Sequence, residues 1–220
     1  MNKVYLDGER VRDFESLEQF KITMSGQDNV VELHSFEGRG EIFVYMTGTN
    51  NRLLFGKGNV VNNSIGINFW SAPNIEPHGS EIVIGDYNYF NGSGNSIIGP
   101  LTTKIKIGNR NLFAGNIVIW GRNDHIIYDV ETRKRLNVDK DIDLGSSNWI
   151  CEKVTVLPGA SLGKNSVLGL GSVLNKPIKK NNVLIAGVPA TIKKERINWS
   201  RACNYDEIDF NNNNNIKRKD

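Results

Sequence analysis

Long apolar runs are missing from this chain. None of its 220 residues belongs to a segment apolar enough, for long enough, to cross a bilayer. No basic start followed by an apolar stretch marks the N-terminus, so there is no sign of a signal peptide. The expectation is a cytoplasmic protein with no membrane span. Cysteine is scarce: Cys151 and Cys203 are the only two, too few for a disulfide framework and spaced like no metal motif. Cys151 reads as a small side chain packed at a corner, in no setting that would lower a thiol pKa. A strong charge of one sign is also missing. The 27 basic and 24 acidic residues leave +3, too mild and too dispersed to suggest nucleic acid. The length suits one sizeable domain.

What the chain does have is a beat of six. From Leu144 the positions run Leu144, Ile150, Val156, Leu162, Leu168, Leu174, Lys180, Ala186 and Ile192, and eight of these nine are apolar. Glycine recurs just after the beat, at Gly145, Gly163 and Gly169. This period fits neither an amphipathic helix nor a simple hairpin. It predicts a parallel β-helix, in which each short strand stacks on its equivalent in the next coil at about 4.8 Å. One apolar side chain per hexapeptide fills a narrow interior, and glycine is expected where a corner takes a positive φ. The beat also runs upstream through Ile84–Phe90 and Ile107–Phe113–Ile119.

Around this core, residues 1–28 read as a capping segment, with a short helix in "RDFESLEQF" and Asp13 as its N-cap. Residues 29–200 read as the repeat domain. The ragged stretches "GKGNVVNNSIGIN" and "IGDYNYFNGSGNSIIG" carry asparagine, which tolerates left-handed corners. Between Ile119 and Leu144 the spacing is 25, not a multiple of six. The register breaks there, and a loop near 128–141 must leave the helix. Residues 201–220, with "NNNNN" and "IKRKD", read as a disordered tail.

The run "LGSSNWICEKVTVLPGASLGKNSVLGLGSVLNKPIKKNNVLIAGVPATIKK" resembles the hexapeptide-repeat acyltransferases. "SVLGLGSVLNKPI" and "NNVLIAGVPATI" look like the closing coils of their acetyl-CoA-dependent O-acetyltransferases. The resemblance implies an all-β, left-handed parallel β-helix, an exception to the right-handed crossover rule. It implies an acetyltransferase using acetyl-CoA as acyl donor and assembled as a homotrimer, with the groove between subunits. The absence of a helical N-terminal domain points within the family to sugar and polysaccharide O-acetyltransferases of capsule type. N-acetylation of an amino sugar or antibiotic is the alternative in the same chemistry.

Three residues are expected at the reacting centre. His125, in "NDHIIYD", stands where the repeat stops, and in polysaccharide O-acetyltransferases of this fold a histidine in a similar segment precedes such a loop. An imidazole suits a base that takes a hydroxyl proton near neutral pH. Either Asp124 or Asp129 could orient it; alternation along a strand counts against Asp124, so Asp129 is favoured. Trp149, in "SNWIC", resembles the tryptophan that lies near substrate in this family, and an indole gives an apolar wall and one donor. Acetyl-CoA recognition is expected on "GLGSVLNK", with Leu170, Gly171, Asn175 and Lys176, and on Lys193 and Lys194 as phosphate charges. Leu170 stands where the family has alanine and Asn175 where it has threonine. A zinc lyase on the same fold would need three converging histidines. His34, His78 and His125 lie 44 and 47 residues apart, and no metal is expected.

Overall fold

The computed structural model describes residues 1–71 and 75–208. The chain winds as a parallel β-helix of triangular section, with faces of nine, seven and seven strands, and the coils are left-handed. Three hexapeptides make one coil, which is why a beat of six yields three faces. On the nine-stranded face I, Leu144 lies beside Leu162. On face II, Ile150 lies beside Leu168. On face III, Val156 lies beside Leu174. All six are buried. The upstream beat residues Ile84, Phe90, Ile107, Phe113 and Ile119 are buried in the same ladders.

After Leu174 the beat does not continue as the period predicts. Ile178, not Lys180, takes the next inward place on face I, and Ile185, not Ala186, takes it on face II. The corner at Asn175 and Lys176 is two residues short, because the strand Pro177–Ile178 begins at once. Ile192 lies on Thr191–Glu195, an antiparallel strand that covers the exposed edge of Val183–Ala186 and ends the stacking.

The glycines beside the beat serve a different purpose from the one expected. Gly145 and Gly163 do not have positive φ. A Cβ on Gly145 would stand 2.7 Å from the Gly163 carbonyl oxygen, and one on Gly163 would stand 2.4 Å from that of Lys180. Backbone packed on backbone demands glycine there. The left-handed corner residues come two positions later, at Ser147 and Asn165.

Asparagine has a second role that corner conformation alone does not reveal. Asn88, Asn111 and Asn148 are buried in a column between faces I and II. Asn88 Oδ1 accepts the Asn111 N–H at 2.9 Å, Asn111 Oδ1 accepts the Asn148 N–H at 2.8 Å, and Asn148 Oδ1 accepts the Ser166 N–H at 2.8 Å. Each amide thus satisfies a backbone donor that water cannot reach. The separations along this column are 23, 37 and 18 residues. The corner geometry is kept while the coil length changes.

The N-terminal coils use longer strands and larger side chains. Phe20, Phe36, Phe55, Phe90 and Phe113 form a continuous ring column with centroids 4.7 to 6.5 Å apart. Residues 1–28 do more than cap. Lys3–Leu6 and Phe20–Met24 are rungs of faces I and III, while Glu9–Val11 folds back to close the edge of face I. The expected helix is a single 3-10 turn, Phe14–Ser16, and Asp13 makes no side-chain cap. Beyond the last coil the chain returns along face II. Trp199 Nε1 donates to the Ser147 carbonyl at 2.8 Å, and Arg201 lies 3.6 Å over the Tyr89 ring. Of the expected tail, 201–208 includes a short 3-10 turn at Tyr205–Glu207; 209–220 lies outside the described residues.

Candidate active site

The coil that contains the break measures 37 residues between equivalent corners, against 18 in the coil above it. The excess leaves the helix as a hairpin after the strand Val118–Trp120 and rejoins it at Ile142–Leu144. It therefore begins at Gly121, earlier than the expected 128–141, and His125 lies within it rather than on the preceding strand. The alternation argument against Asp124 loses its ground for the same reason.

Hydrogen bonds hold the hairpin at three levels. At its base, Asn123 donates from its backbone N–H at 2.8 Å and from Nδ2 at 2.9 Å to Asp139 Oδ1. In the stem, Asn137 Nδ2 donates to the His125 carbonyl at 2.7 Å, while its Oδ1 accepts the Ile127 N–H at 2.7 Å. At the tip, Asp129 Oδ1 accepts from the Glu131 N–H, the Thr132 N–H and the Thr132 hydroxyl. The Thr132 bonds hold the Asp129 carboxyl below the usual range. Asp129 thus builds the tip turn, and no hydrogen bond joins it to His125 among the described residues.

Under the hairpin lies a cleft of about 540 Å³ on the edge between faces III and I. His125 lines it together with Trp120, Asp124, Lys140, Pro158 and Asn175. The expected catalytic histidine and one expected cofactor residue, Asn175, therefore meet in one cavity, walled on one side by an indole. The imidazole is exposed to solvent and so accessible to a substrate.

The other expected residues lie elsewhere in this chain. Trp149 is on face II, 38% exposed, between Leu112 and Val167, with its ring 6.1 Å from that of Trp199. Face II lies opposite the edge that carries the cleft, so one chain does not bring Trp149 to His125. Leu170 protrudes at 70% exposure beside Gly171, whose φ is +69°. Lys176 is exposed at the short corner, and Lys193 and Lys194 are exposed on the closing strand. Cys151 is half-buried, and burial pushes its thiol up to about 11, as a packing residue requires. Among the described residues no three His, Cys, Asp or Glu side chains come close enough to hold a metal. His34 instead lies 3.2 Å from Asp7 at the N-terminal end.

Sequence reasoning passed over Arg122. Its side chain is fully buried, 2.8 Å from Asp124 and 3.9 Å over the Trp70 ring. The signal was present: an arginine directly after a core strand, where the chain leaves the stack.

No protein-family profile matches the chain. By sequence it is 30% identical over 133 residues to the galactoside O-acetyltransferase of Escherichia coli strain K12, covering 60% of this chain and 63% of that protein. It is 35% identical over 138 residues to a putative acetyltransferase of Saccharomyces cerevisiae, covering 60% of this chain and 67% of that one. The chain thus spans about two thirds of the length of these two curated relatives. By structure it is similar to the polySia-specific acetyltransferase NeuO, with a TM-score of 0.64, 25% identity, and coverage of 84% of this chain and 90% of that one.

Proposed function

The chain belongs to the hexapeptide-repeat acetyltransferases, and from that membership we propose that it moves an acetyl group from acetyl-CoA to a hydroxyl of a sugar or bacterial surface polysaccharide. The observation that carries this reading is the placement of His125 in the cleft beside Trp120 and Asn175. The transfer is direct. The acceptor hydroxyl oxygen attacks the thioester carbonyl carbon as His125 takes its proton. A backbone N–H stabilises the oxyanion. Collapse of the tetrahedral species breaks the C–S bond, and the proton held by His125 leaves with the CoA thiol.

The acyl donor lies along the closing coils, with Asn175 near the reacting end and Lys176, Lys193 and Lys194 available for its phosphates. Their exposure on one end of the helix supports this assignment. A homotrimer completes the site. The hairpin leaves Ile126 and Ile127 outside the cleft lining, each more than half exposed, an apolar surface suited to a neighbouring copy. Trp149, remote from His125 within one chain, reaches the acyl group of a site on an adjacent subunit in this arrangement.

The test is incubation with acetyl-CoA and a panel of glycans, with the new ester located by NMR and subunit number read by light scattering. O-acetylation of a sugar by a trimer is expected. Acetylation of amino groups alone would move the reading to amino sugars. Absence of turnover on every acceptor would contradict it.

A further inference from the structure

Arg122 is the one charged residue that is fully buried among the described residues. Its side chain is wholly inaccessible, and taking an ion out of water costs several kcal/mol unless good partners replace the hydration. Burial pulls the guanidinium pKa down, and the charges of Asp124 and Asp139 oppose that pull. The partners present are few. Nη1 donates to the Trp70 carbonyl at 2.7 Å, the guanidinium plane lies 3.9 Å from the Trp70 ring centroid, and Nε faces Asp124 at 2.8 Å. Nη2 is buried with no hydrogen-bond partner among the described residues, and Nε and Asp124 Oδ1 form a close ion pair that is not aligned as a hydrogen bond. An apolar side chain would fill this position without the desolvation penalty, so packing alone does not account for an arginine.

What Arg122 touches tells what it does. Trp70 directly follows Ile65–Phe69 on face III, a strand separated from Val118–Trp120 by one further rung. Asp124 immediately precedes His125. One planar cation therefore joins an earlier coil to the residue beside the imidazole. Asn123, between them, is held by Asp139 from the returning strand of the hairpin. His125 lies one residue past a clamp made of two carboxylates, an arginine and a tryptophan.

We propose that Arg122 is a positioning residue for His125, acting through Asp124 and through its anchorage on Trp70. It holds the carboxylate of Asp124 away from the imidazole and fixes the base of the hairpin to the stacked coils. Without it, Asp124 would be a half-buried carboxylate stripped of the counter-charge at 2.8 Å, free to turn towards His125. The inference rests on His125 being the base.

A double-mutant cycle reads the coupling. In Arg122→Met, kcat is expected to fall about 30- to 100-fold, the scale of a reacting group displaced by about 1 Å, with the KM for acetyl-CoA changed less than about threefold. Asp124→Asn alone should cost less. Adding Asp124→Asn to Arg122→Met should recover most of the loss, because the stranded charge is gone, and stop short of the Asp124→Asn level by what the Trp70 anchorage contributes. Arg122→Lys, which keeps the charge without the fork, should fall between wild type and Arg122→Met. Additive losses, or a kcat unchanged in folded Arg122→Met, would overturn the proposal.

A second readout needs no turnover. The imidazole resonances of His125, assigned among three histidines by His125→Gln, report its setting in the free protein. Arg122→Met should shift them, and the added Asp124→Asn should move them back. Unmoved resonances would refute the positioning role even if no acceptor were ever found. Shifted resonances with no loss on His125→Ala would instead retire His125 as the base. If Arg122→Met does not fold, Trp70→Leu removes the ring on which the guanidinium lies and keeps the bond to the residue 70 carbonyl; a smaller fall in kcat is then expected, and an unchanged kcat would overturn the proposal.

Discussion

The upper and lower coils build one core by different means. Between Leu144 and Leu174 the strands are mostly two residues long, the interior is aliphatic, and every coil has the same length. Between Phe20 and Phe113 many strands have four or five residues, the interior carries a phenylalanine column, and coil length varies. Equal spacing is therefore not what keeps the rungs aligned. Parallel pairing and the buried asparagine column do so in both regions, and the corners absorb the differences. The 37-residue coil is the extreme case of that tolerance. A fold that can accept extra residues at a corner can hold a hairpin there without losing its stack, and the cleft lies under that hairpin.

Breaking the lower core should have the largest effect on stability. Phe113→Ala removes a ring stacked 4.7 Å from Phe90 and should cost about 3–5 kcal/mol, measured by urea unfolding. Leu168→Ala, in the aliphatic region, should cost about 2–4 kcal/mol. Equal losses would mean that the two cores are packed alike. Next comes the asparagine column. Asn111→Ala leaves the Asn148 N–H buried without its acceptor and should cost about 1–3 kcal/mol. That loss should be accompanied by faster hydrogen exchange at the foot of the long coil.

The smallest effect belongs to the charges on face I. Arg52 bridges Glu32 at 3.2 Å and Glu81 at 3.1 Å, and Lys104 reaches Glu81 at 3.0 Å. The Lys104 hydrogen bond, with Arg52 beside it, holds the Glu81 carboxyl below its ordinary value. A depressed folded pKa gives stability that is present above the usual glutamate range and is lost as pH falls through the folded value. Glu81→Gln should therefore cost about 0.2–1 kcal/mol at neutral pH and nothing in acid. A difference that grew on acidification would contradict this.

How much of this was legible in sequence follows from the same contrast. The beat from Leu144 to Leu174 was readable because each hexapeptide supplies one inward residue and one short corner. It misled after Leu174, where Lys180 and Ala186 fell on the period by coincidence, while a corner two residues short moved Ile178 inward and a following corner one residue longer put Ile185 inward. In the lower coils the inward residues were visible as alternation, but variable corners hid the period. The break pointed to His125 because the histidine lies inside the inserted hairpin. It also led to Asp129 as the orienting carboxylate, whereas that side chain builds the tip turn, since aspartate two or three residues before free N–H groups caps them first. Arg122 was missed because its partner Trp70 lies 52 residues away, a distance only the stacking of coils can close.

The proposed function places the chemistry on the hairpin and leaves the fold to the coils. His125→Ala tests both halves in one protein. The side chain is exposed, so the thermal midpoint should stay within about 2 °C of wild type, as for most surface substitutions. The rate of acetyl transfer from acetyl-CoA should fall by about 10²–10⁴-fold, the contribution of a general base. A folded His125→Ala protein that transfers acetyl groups within about threefold of the wild-type rate would contradict a catalytic role for the hairpin.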